Sequence, residues 1–136
     1  MILVGSSVWI DFFKGEDKPA TLQLMQLLAD NKTAVVVPDL VAFEVLRGFR
    51  QGPALRAAQA YLSALPQVDL GGLDNALLGA EHYRELRERG YTIRSPIDVL
   101  LASYCITHNH LLLHRDADFD VMHFLKLCGT DRSYTK

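Results

Sequence analysis

Short, continuous apolar runs alternate along the chain with longer stretches in which apolar residues recur at helical spacing. The first run covers residues 2–4 and breaks at Gly5, Ser6 and Ser7, after which a helical pattern begins. A short apolar run that leads directly into a helix predicts a strand buried on both faces. Comparable runs predict three more strands, over 34–37, 67–70 and 110–113.

The stretches between these runs predict seven helices. Apolar spacing and the bounding glycine, proline and polar residues place them at 8–14, 21–30, 39–49, 54–65, 74–89, 95–109 and 116–126. The helix over 74–89 is expected to carry Leu77, Leu78, Tyr83 and Leu86 on one apolar side. Strands that alternate with helices predict an α/β fold, a parallel sheet covered by helices on both faces.

The predicted sheet also indicates where function should lie. The 136 residues fit a single domain over 1–136, because no linker, repeat or low-complexity tract divides them. Ligands of open α/β sheets bind outside the carboxyl ends of the strands. We therefore expect the functional site to lie near residue 5, where the first strand ends.

Composition narrows the class of protein. Hydrophobic residues make up 49% of the chain and charged residues 22%, which indicates a globular protein. Cys105 and Cys128 stand in apolar stretches without a metal-binding spacing, so we expect buried free thiols in a reducing compartment. No signal peptide or membrane-spanning run is recognised, and a cytoplasmic protein is expected. The net charge of −2 argues against charge-driven nucleic-acid binding, but an acidic nuclease centre would itself lower that charge.

Several carboxylates occupy positions where an isolated charge is costly. Glu44 is the only charged residue in the apolar segment 40–46, and Asp98 is the only one in 96–102. Asp116, Asp118 and Asp120 follow the predicted strand over 110–113. A buried, unpaired carboxylate takes up a proton unless a cation offsets its charge. Hard oxygen ligands without histidine favour Mg²⁺ or Mn²⁺ over zinc.

Each of these acids also has a purely structural interpretation. Ser95 and Asp98 have the spacing of a capping box, and Asp116 or Asp118 would serve as an ordinary helix N-cap. Glu44 would then lie at a helix edge with its carboxylate in water. The coincidence of several acids near helix starts and strand ends favours a metal site instead, because such side chains meet at one sheet edge.

Four motifs, in this order and spacing, resemble PIN-domain proteins of the VapC toxin type over nearly the whole chain. They are Gly5-Ser-Ser-Val-Trp-Ile-Asp11, Phe43-Glu-Val-Leu-Arg-Gly48, Ser95-Pro-Ile-Asp-Val-Leu-Leu-Ala102 and Leu112-Leu-His-Arg-Asp-Ala-Asp-Phe119. The resemblance implies a PIN-like α/β/α sandwich with a central parallel sheet. It also implies a metal-dependent endoribonuclease that cleaves RNA, forms a homodimer and assembles with an inhibitory VapB-type antitoxin.

The resemblance also implies roles for individual residues. Glu44, Asp98 and Asp116 match three acidic positions of the family, and Asp118 matches an auxiliary acid. Asp98 and Asp116 would hold the principal metal ion, while Glu44 would position a ligand water or a second ion. Ser7 matches a small polar residue near the metal. Arg115, next to Asp116, would either contact the scissile phosphate or remain a solvated arginine.

The chain departs from the family at Gly5, where the pattern has an aspartate that ligates the metal. Three explanations remain open: an engineered, detoxified variant, a naturally degenerate copy, or substitution of the missing acid by Ser6, Ser7 or Asp11. The first is favoured, since an active toxin would harm its expression host. Asp11 lies six residues further on, nearly two helical turns, and should point elsewhere. Water at the position would bring no charge, so both metal affinity and catalysis are expected to fall.

Two functional hypotheses therefore stand. The first is a toxin ribonuclease weakened at residue 5, and the second is a catalytically inactive PIN module that binds antitoxin or RNA. A response-regulator receiver is a third α/β protein with an acidic magnesium site. Its paired acids after the first strand and its lysine after the last strand do not occur here, which excludes it.

Overall fold

Four short strands form a parallel sheet in the computed structural model, which describes residues 1–30 and 32–122. They are β1 (Ile2–Val4), β2 (Val35–Pro38), β3 (Gln67–Val68) and β4 (Leu111–Leu113). Their order across the sheet is β3-β2-β1-β4, and each neighbouring pair is parallel. Both the predicted strands and the predicted parallel arrangement are confirmed.

Seven helices flank the sheet within the described residues. They are α1 (Ser6–Phe13), α2 (Pro19–Ala29), α3 (Asp39–Leu46), α4 (Pro53–Ser63), α5 (Leu73–Glu88), α6 (Pro96–His108) and α7 (Ala117–Asp120). Each predicted helix is present, and the differences lie at the ends. The last predicted helix, over 116–126, extends beyond the described residues, and Cys128 also lies outside them.

Two helix boundaries differ from the prediction for identifiable reasons. Helix α1 begins two residues early because Gly5 takes the extended cap conformation, so Ser6 and Ser7 are already helical. Helix α3 was predicted to reach residue 49 but ends at Leu46. There the N–H groups of Gly48 and Phe49 donate to the carbonyls three residues before them, which tightens the chain out of the α-helix.

The apolar side predicted for α5 is wrong at Leu77. Leu86 is fully buried, whereas the side chain of Leu77 is 62% exposed. The two residues are nine positions apart, which is two and a half helical turns, so they face opposite sides of the helix. Elsewhere the core follows the prediction: β1 is completely buried, and Cys105 is a buried free thiol whose pKa is raised to about 12 by burial.

The order of the strands determines where the site lies. The chain passes from β1 through β2 to β3 in one direction and later returns to place β4 on the other side of β1. The carboxyl end of β1 therefore lies between those of β2 and β4, the position at which open α/β sheets bind ligands. The N–H of Gly5 donates to the carbonyl of Leu113 at 2.9 Å, which keeps these two strand ends together.

The described residues contain no helix that is both long enough and apolar enough to cross a membrane.

Replacement of Leu101 by alanine should lower the free energy of unfolding by about 2–5 kcal/mol, because its fully buried side chain would leave a cavity. Leu77→Ala is the matched control in solvent and should change stability by no more than about 0.5 kcal/mol. Urea denaturation of the two variants measures both values. Equal losses would contradict the exposed position of Leu77.

Candidate functional site

A pocket of about 330 Å³ opens at the carboxyl edge of the sheet. Four of its lining residues are the acids predicted from the sequence: Glu44 from α3, Asp98 from α6, Asp116 from the connection after β4, and Asp118 from α7. The structure thus brings together acids that are as much as 74 residues apart in the sequence. The remaining lining residues are Ser6, Ser7, Ile10, Arg47, Arg94 and Ser95.

Glu44 is held by two serine hydroxyls. Ser6 donates to its Oε1 at 2.6 Å, and Ser95 donates to its Oε2 at 3.1 Å. The interpretation of Ser95 as the hydroxyl of a capping box is therefore wrong, since this side chain makes no hydrogen bond to the helix that it precedes. The alternative in which Glu44 projects freely into water is also wrong, because each of its oxygens accepts a hydrogen bond from a serine of the protein.

Asp116 also accepts a serine hydroxyl. Ser7 donates to its Oδ2 at 2.9 Å, with its Oδ1 at 3.2 Å. Asp116 does occupy the N-cap position of α7, but its side chain makes no capping bond; its backbone carbonyl accepts the N–H of Phe119 instead. The structural interpretation of this carboxylate as an N-cap is therefore wrong. Its side chain is directed to α1.

Asp118 is tied to the segment that leads into α6. Its Oδ2 accepts the backbone N–H of Arg94 at 3.2 Å, and the guanidinium of Arg94 lies 3.9 Å away. An N-cap role for Asp118 is excluded as well, because this residue lies inside the first turn of α7. Sequence reasoning placed Ser6 here only as a substitute for the missing acid, and it did not identify Ser95, Arg47 or Arg94 as residues of this pocket. Their shared signal was proximity in sequence to a motif acid, and it did not specify which side chain each would meet.

Asp98 carries the strongest electrostatic strain in the pocket. The residue is only 7% exposed and lies in the first turn of α6. Its pKa is raised from 3.8 to about 7, first by burial and then by the negative charges of Asp116, Glu44 and Asp118. Burial disfavours the ionised form and neighbouring carboxylates disfavour it further. Asp98 therefore holds a proton near neutral pH unless a cation replaces it.

Arg115 does not line the pocket. Its Nε donates to Asp11 Oδ2 at 2.5 Å, and its Nη2 lies 3.4 Å from Oδ1 of the same carboxylate. Arg115 is therefore not the freely solvated arginine of the second interpretation, since it forms an ion pair with Asp11 and its side chain is 31% exposed. Contact with a phosphate stays a prediction. The sequence did contain a signal for the partner: Asp11 is the only charged residue in the apolar segment 8–13, as Glu44 is in its own segment.

The backbone around Gly5 leaves room for a side chain. A Cβ at this position would lie 3.7 Å from the Cβ of His114, 3.7 Å from the carbonyl oxygen of Leu113 and 3.8 Å from the ring of Phe119. These are ordinary van der Waals contacts, and the φ of −68° suits any residue. The site thus lacks an acid at residue 5 without any steric reason for a glycine.

None of the three proposed substitutes supplies the missing negative ligand. Ser6 and Ser7 do reach the pocket, but they are neutral. Their hydroxyl groups donate hydrogen bonds to Glu44 and Asp116. Asp11 points elsewhere, as expected, because its carboxylate is engaged by Arg115 and by Lys18 at 3.4 Å.

The donor chemistry of the pocket fits a hard divalent cation, but the number of ligands is low. Carboxylate and hydroxyl oxygens are the groups that Mg²⁺ and Mn²⁺ prefer, and a cation would relieve the charge repulsion that raises the pKa of Asp98. Within residues 1–30 and 32–122, no three Asp, Glu, His or Cys side chains are close enough to hold one ion.

Comparison with known proteins identifies a family and relatives for this chain. The sequence profile of the PIN domain family matches residues 2–125. A VapC ribonuclease from Mycobacterium bovis is 30% identical over 122 residues, which cover 90% of this chain and 91% of that protein.

Two solved structures share the fold. VapBC2 from Rickettsia felis, bound to a DNA fragment from their promoter, superposes with a TM-score of 0.69 and 22% identity over 89% of this chain and 92% of that chain. A toxin–antitoxin complex from Klebsiella pneumoniae superposes with a TM-score of 0.67 and 18% identity over 88% of this chain and 90% of that chain.

The stability of the metal-free protein should fall as the pH rises from about 4 to 7. The folded state retains the proton of Asp98 up to a pKa of about 7, whereas the unfolded state releases it near 3.8, so the folded state binds more protons in this window. Asp98→Asn removes this contribution. Relative to the parent protein, the variant should gain on the order of 2 kcal/mol between pH 5 and pH 8.

Urea denaturation in EDTA at these two pH values measures the difference. Asp120→Asn, at an exposed position of α7, controls for the loss of one surface carboxylate. The expectation is wrong if Asp98→Asn and its parent differ by the same free energy at both pH values.

Proposed function

This chain belongs to the PIN-domain family, and within it to the VapC ribonucleases, and we propose that it is the toxin of a toxin–antitoxin pair. Its site is arranged to hydrolyse phosphodiester bonds of RNA. The observation that carries the proposal is the convergence of Glu44, Asp98, Asp116 and Asp118 in one pocket at the strand ends. A pocket of buried, mutually repelling carboxylates suits a cation and the phosphate that the cation attracts.

Ribonucleases of this family depend on divalent metal ions, and we propose Mg²⁺ or Mn²⁺ for this chain. Asp98 and Asp116 would hold the principal ion, and Glu44 would orient a ligand water or a second ion. A bound ion of this kind polarises water and offsets the charge that builds up on the phosphate. Hard oxygen donors and the raised pKa of Asp98 support this assignment.

The chain's own hydroxyl groups orient two carboxyl groups of the site, while the proton of a third opposes metal binding. The hydroxyls of Ser6 and Ser95 fix both oxygens of Glu44, and the hydroxyl of Ser7 fixes Asp116. Asp98 must lose its proton before it can act as a ligand, so acid competes with the metal below about pH 7.

Two arginines on the lining of the pocket supply positive charge for the substrate. Arg47 and Arg94 both line it, and the guanidinium of Arg94 is mostly in solvent. We propose that they bind RNA phosphates, because the planar fork of arginine donors matches phosphate oxygens.

Gly5 should reduce the activity of this copy. The family's aspartate at this position is missing, and neither the serines nor Asp11 replaces its charge. Among the residues that the structure describes, no three acids lie close enough to hold one ion, and this supports the second function, a catalytically inactive PIN module that still binds antitoxin or RNA. The two functions differ in whether one restored carboxylate brings back cleavage.

The remaining proposals concern partners and location. We propose a VapB-type antitoxin as the partner, a homodimer as the state of the toxin, and a hetero-oligomer of the two in the cytoplasm, where the RNA substrate lies. The toxin–antitoxin complex from Klebsiella pneumoniae supports an antitoxin partner.

Gly5→Asp should produce or raise RNA cleavage in Mg²⁺ or Mn²⁺ by at least about tenfold, because loss of even an outer-shell partner of a metal typically costs 10- to 100-fold. The space around residue 5 admits the new Cβ without repacking. The measurement is cleavage of a mixed RNA substrate by the purified parent and variant, each with the metal and with EDTA.

Gly5→Asn is the matched control, since it has nearly the same shape as aspartate without the charge, and it should remain at the parent's level. The double variant Gly5→Asp with Asp98→Asn should lose the activity gained. Absence of cleavage in a folded Gly5→Asp protein that does bind RNA or antitoxin would support the inactive module instead.

A further inference from the structure

Asp11 lies outside the pocket, but its partner Arg115 directly precedes Asp116, which lines the pocket. We propose that Asp11 is a positioning residue of the site: by binding Arg115 it holds the adjacent Asp116 in place. The inference rests on the proposed function in one respect, because it takes Asp116 to be a working carboxylate of the site. It assigns to Asp11 and Arg115 a role distinct from contact with RNA.

Asp11 is a buried carboxylate that contacts a guanidinium through both of its oxygens. The residue is 3% exposed, and its two oxygens lie 2.5 Å from Nε and 3.4 Å from Nη2 of Arg115. Lys18 adds a third positive contact at 3.4 Å, from a side chain that is 41% exposed. A guanidinium that engages both oxygens of a carboxylate fixes direction as well as distance.

Helix α1 binds the connection between β4 and α7 at two consecutive residues, Arg115 and Asp116. Ser7 and Asp11 are four positions apart, and so lie on the same face of α1. Ser7 binds Asp116, and Asp11 binds Arg115. Residues 114–116 lie between the end of β4 and the start of α7 and belong to no helix or strand. The bond from Ser7 holds the carboxyl group of Asp116, and the attachment of Arg115 to Asp11 holds the residue that precedes it.

The charge of Asp11 persists at neutral pH. Burial by itself raises the pKa of Asp11, but the hydrogen bond from Arg115, a bond with Glu16, the charge of Arg115 and the bond from Lys18 together lower it below its ordinary value. The ion pair also keeps the positive charge of Arg115 out of the pocket. Without Asp11, the guanidinium is released next to the carboxylate of Asp116, where it competes with a metal ion.

The test uses Asp11→Asn, which keeps the shape of the side chain and removes its charge, and Arg115→Lys, which keeps the charge and removes the fork. Lys18→Met is the control, since it removes a partner of Asp11 that does not lie next to Asp116. Two metal-free measurements report on Asp116 in each protein. They are the ¹³C shift of its carboxyl group and the hydrogen exchange of the Phe119 amide, which donates to the Asp116 carbonyl at 3.1 Å.

Asp11→Asn and Arg115→Lys should both shift the Asp116 carboxyl signal and speed exchange at Phe119, whereas Lys18→Met should leave both unchanged. In the Gly5→Asp background, the first two substitutions should also weaken Mn²⁺ binding in titration calorimetry by about 10- to 100-fold. If Asp11→Asn does not fold, Arg115→Lys decides alone.

A merely structural role makes a different prediction. It would lower the urea midpoint of both variants but leave the Asp116 signal, local exchange at Phe119 and Mn²⁺ affinity of the folded protein unchanged, and that result overturns the proposal. An equal effect of Lys18→Met also overturns it. If Gly5→Asp itself binds no Mn²⁺, the proposed function fails, while the metal-free measurements still decide the role of Asp11.

Discussion

Parallel pairing on both sides of β1 is the constraint on which the rest of the structure depends. Because β2 and β4 run in the same direction as β1, the segments that follow all three strands emerge at one edge. The first turn of α6 reaches the same place and contributes Asp98. Once the sheet has this order, the acids that follow its strands are brought close together. Burial and then the mutual repulsion of these acids raise the pKa of Asp98, and both follow from the topology.

The serine hydroxyls show how the fold tolerates this concentration of charge. Ser6, Ser7 and Ser95 donate hydrogen bonds to the carboxyl oxygens of Glu44 and Asp116 without introducing a positive charge. A lysine or arginine at the same positions would neutralise the acids more fully and would occupy the place of a cation. Neutral donors therefore maintain the orientation of Glu44 and Asp116 and leave the pocket's negative potential available to a ligand.

The sequence predicted those features that depend on local pattern. The four strands follow from short apolar runs, and the meeting of Glu44, Asp98, Asp116 and Asp118 follows from their places near strand ends and helix starts. The prediction that Leu77 faces the core is wrong, because an apolar side chain does not by itself give the angular position of a residue on its helix. The extension of one domain over 1–136 stays a prediction.

The partners of the polar side chains could not be predicted in this way. Ser6 meets Glu44 across 38 positions, and Asp11 meets Arg115 across 104. Capping rules consider residues within about one helical turn, so they assigned Ser95 to its own helix instead of to Glu44. Hydrogen bonds between distant segments depend on the assembled fold, and no periodicity records them.

The unstrained backbone conformation of Gly5 bears on how a gene of this kind regains an aspartate at residue 5. The glycine codons GGU and GGC become aspartate codons by a single base change, and the space at residue 5 already suits the larger side chain. The serine and arginine contacts that surround the pocket remain in place. A gene with either of these codons stands one base change from the family's full acidic set, and that change requires no rebuilding of the fold.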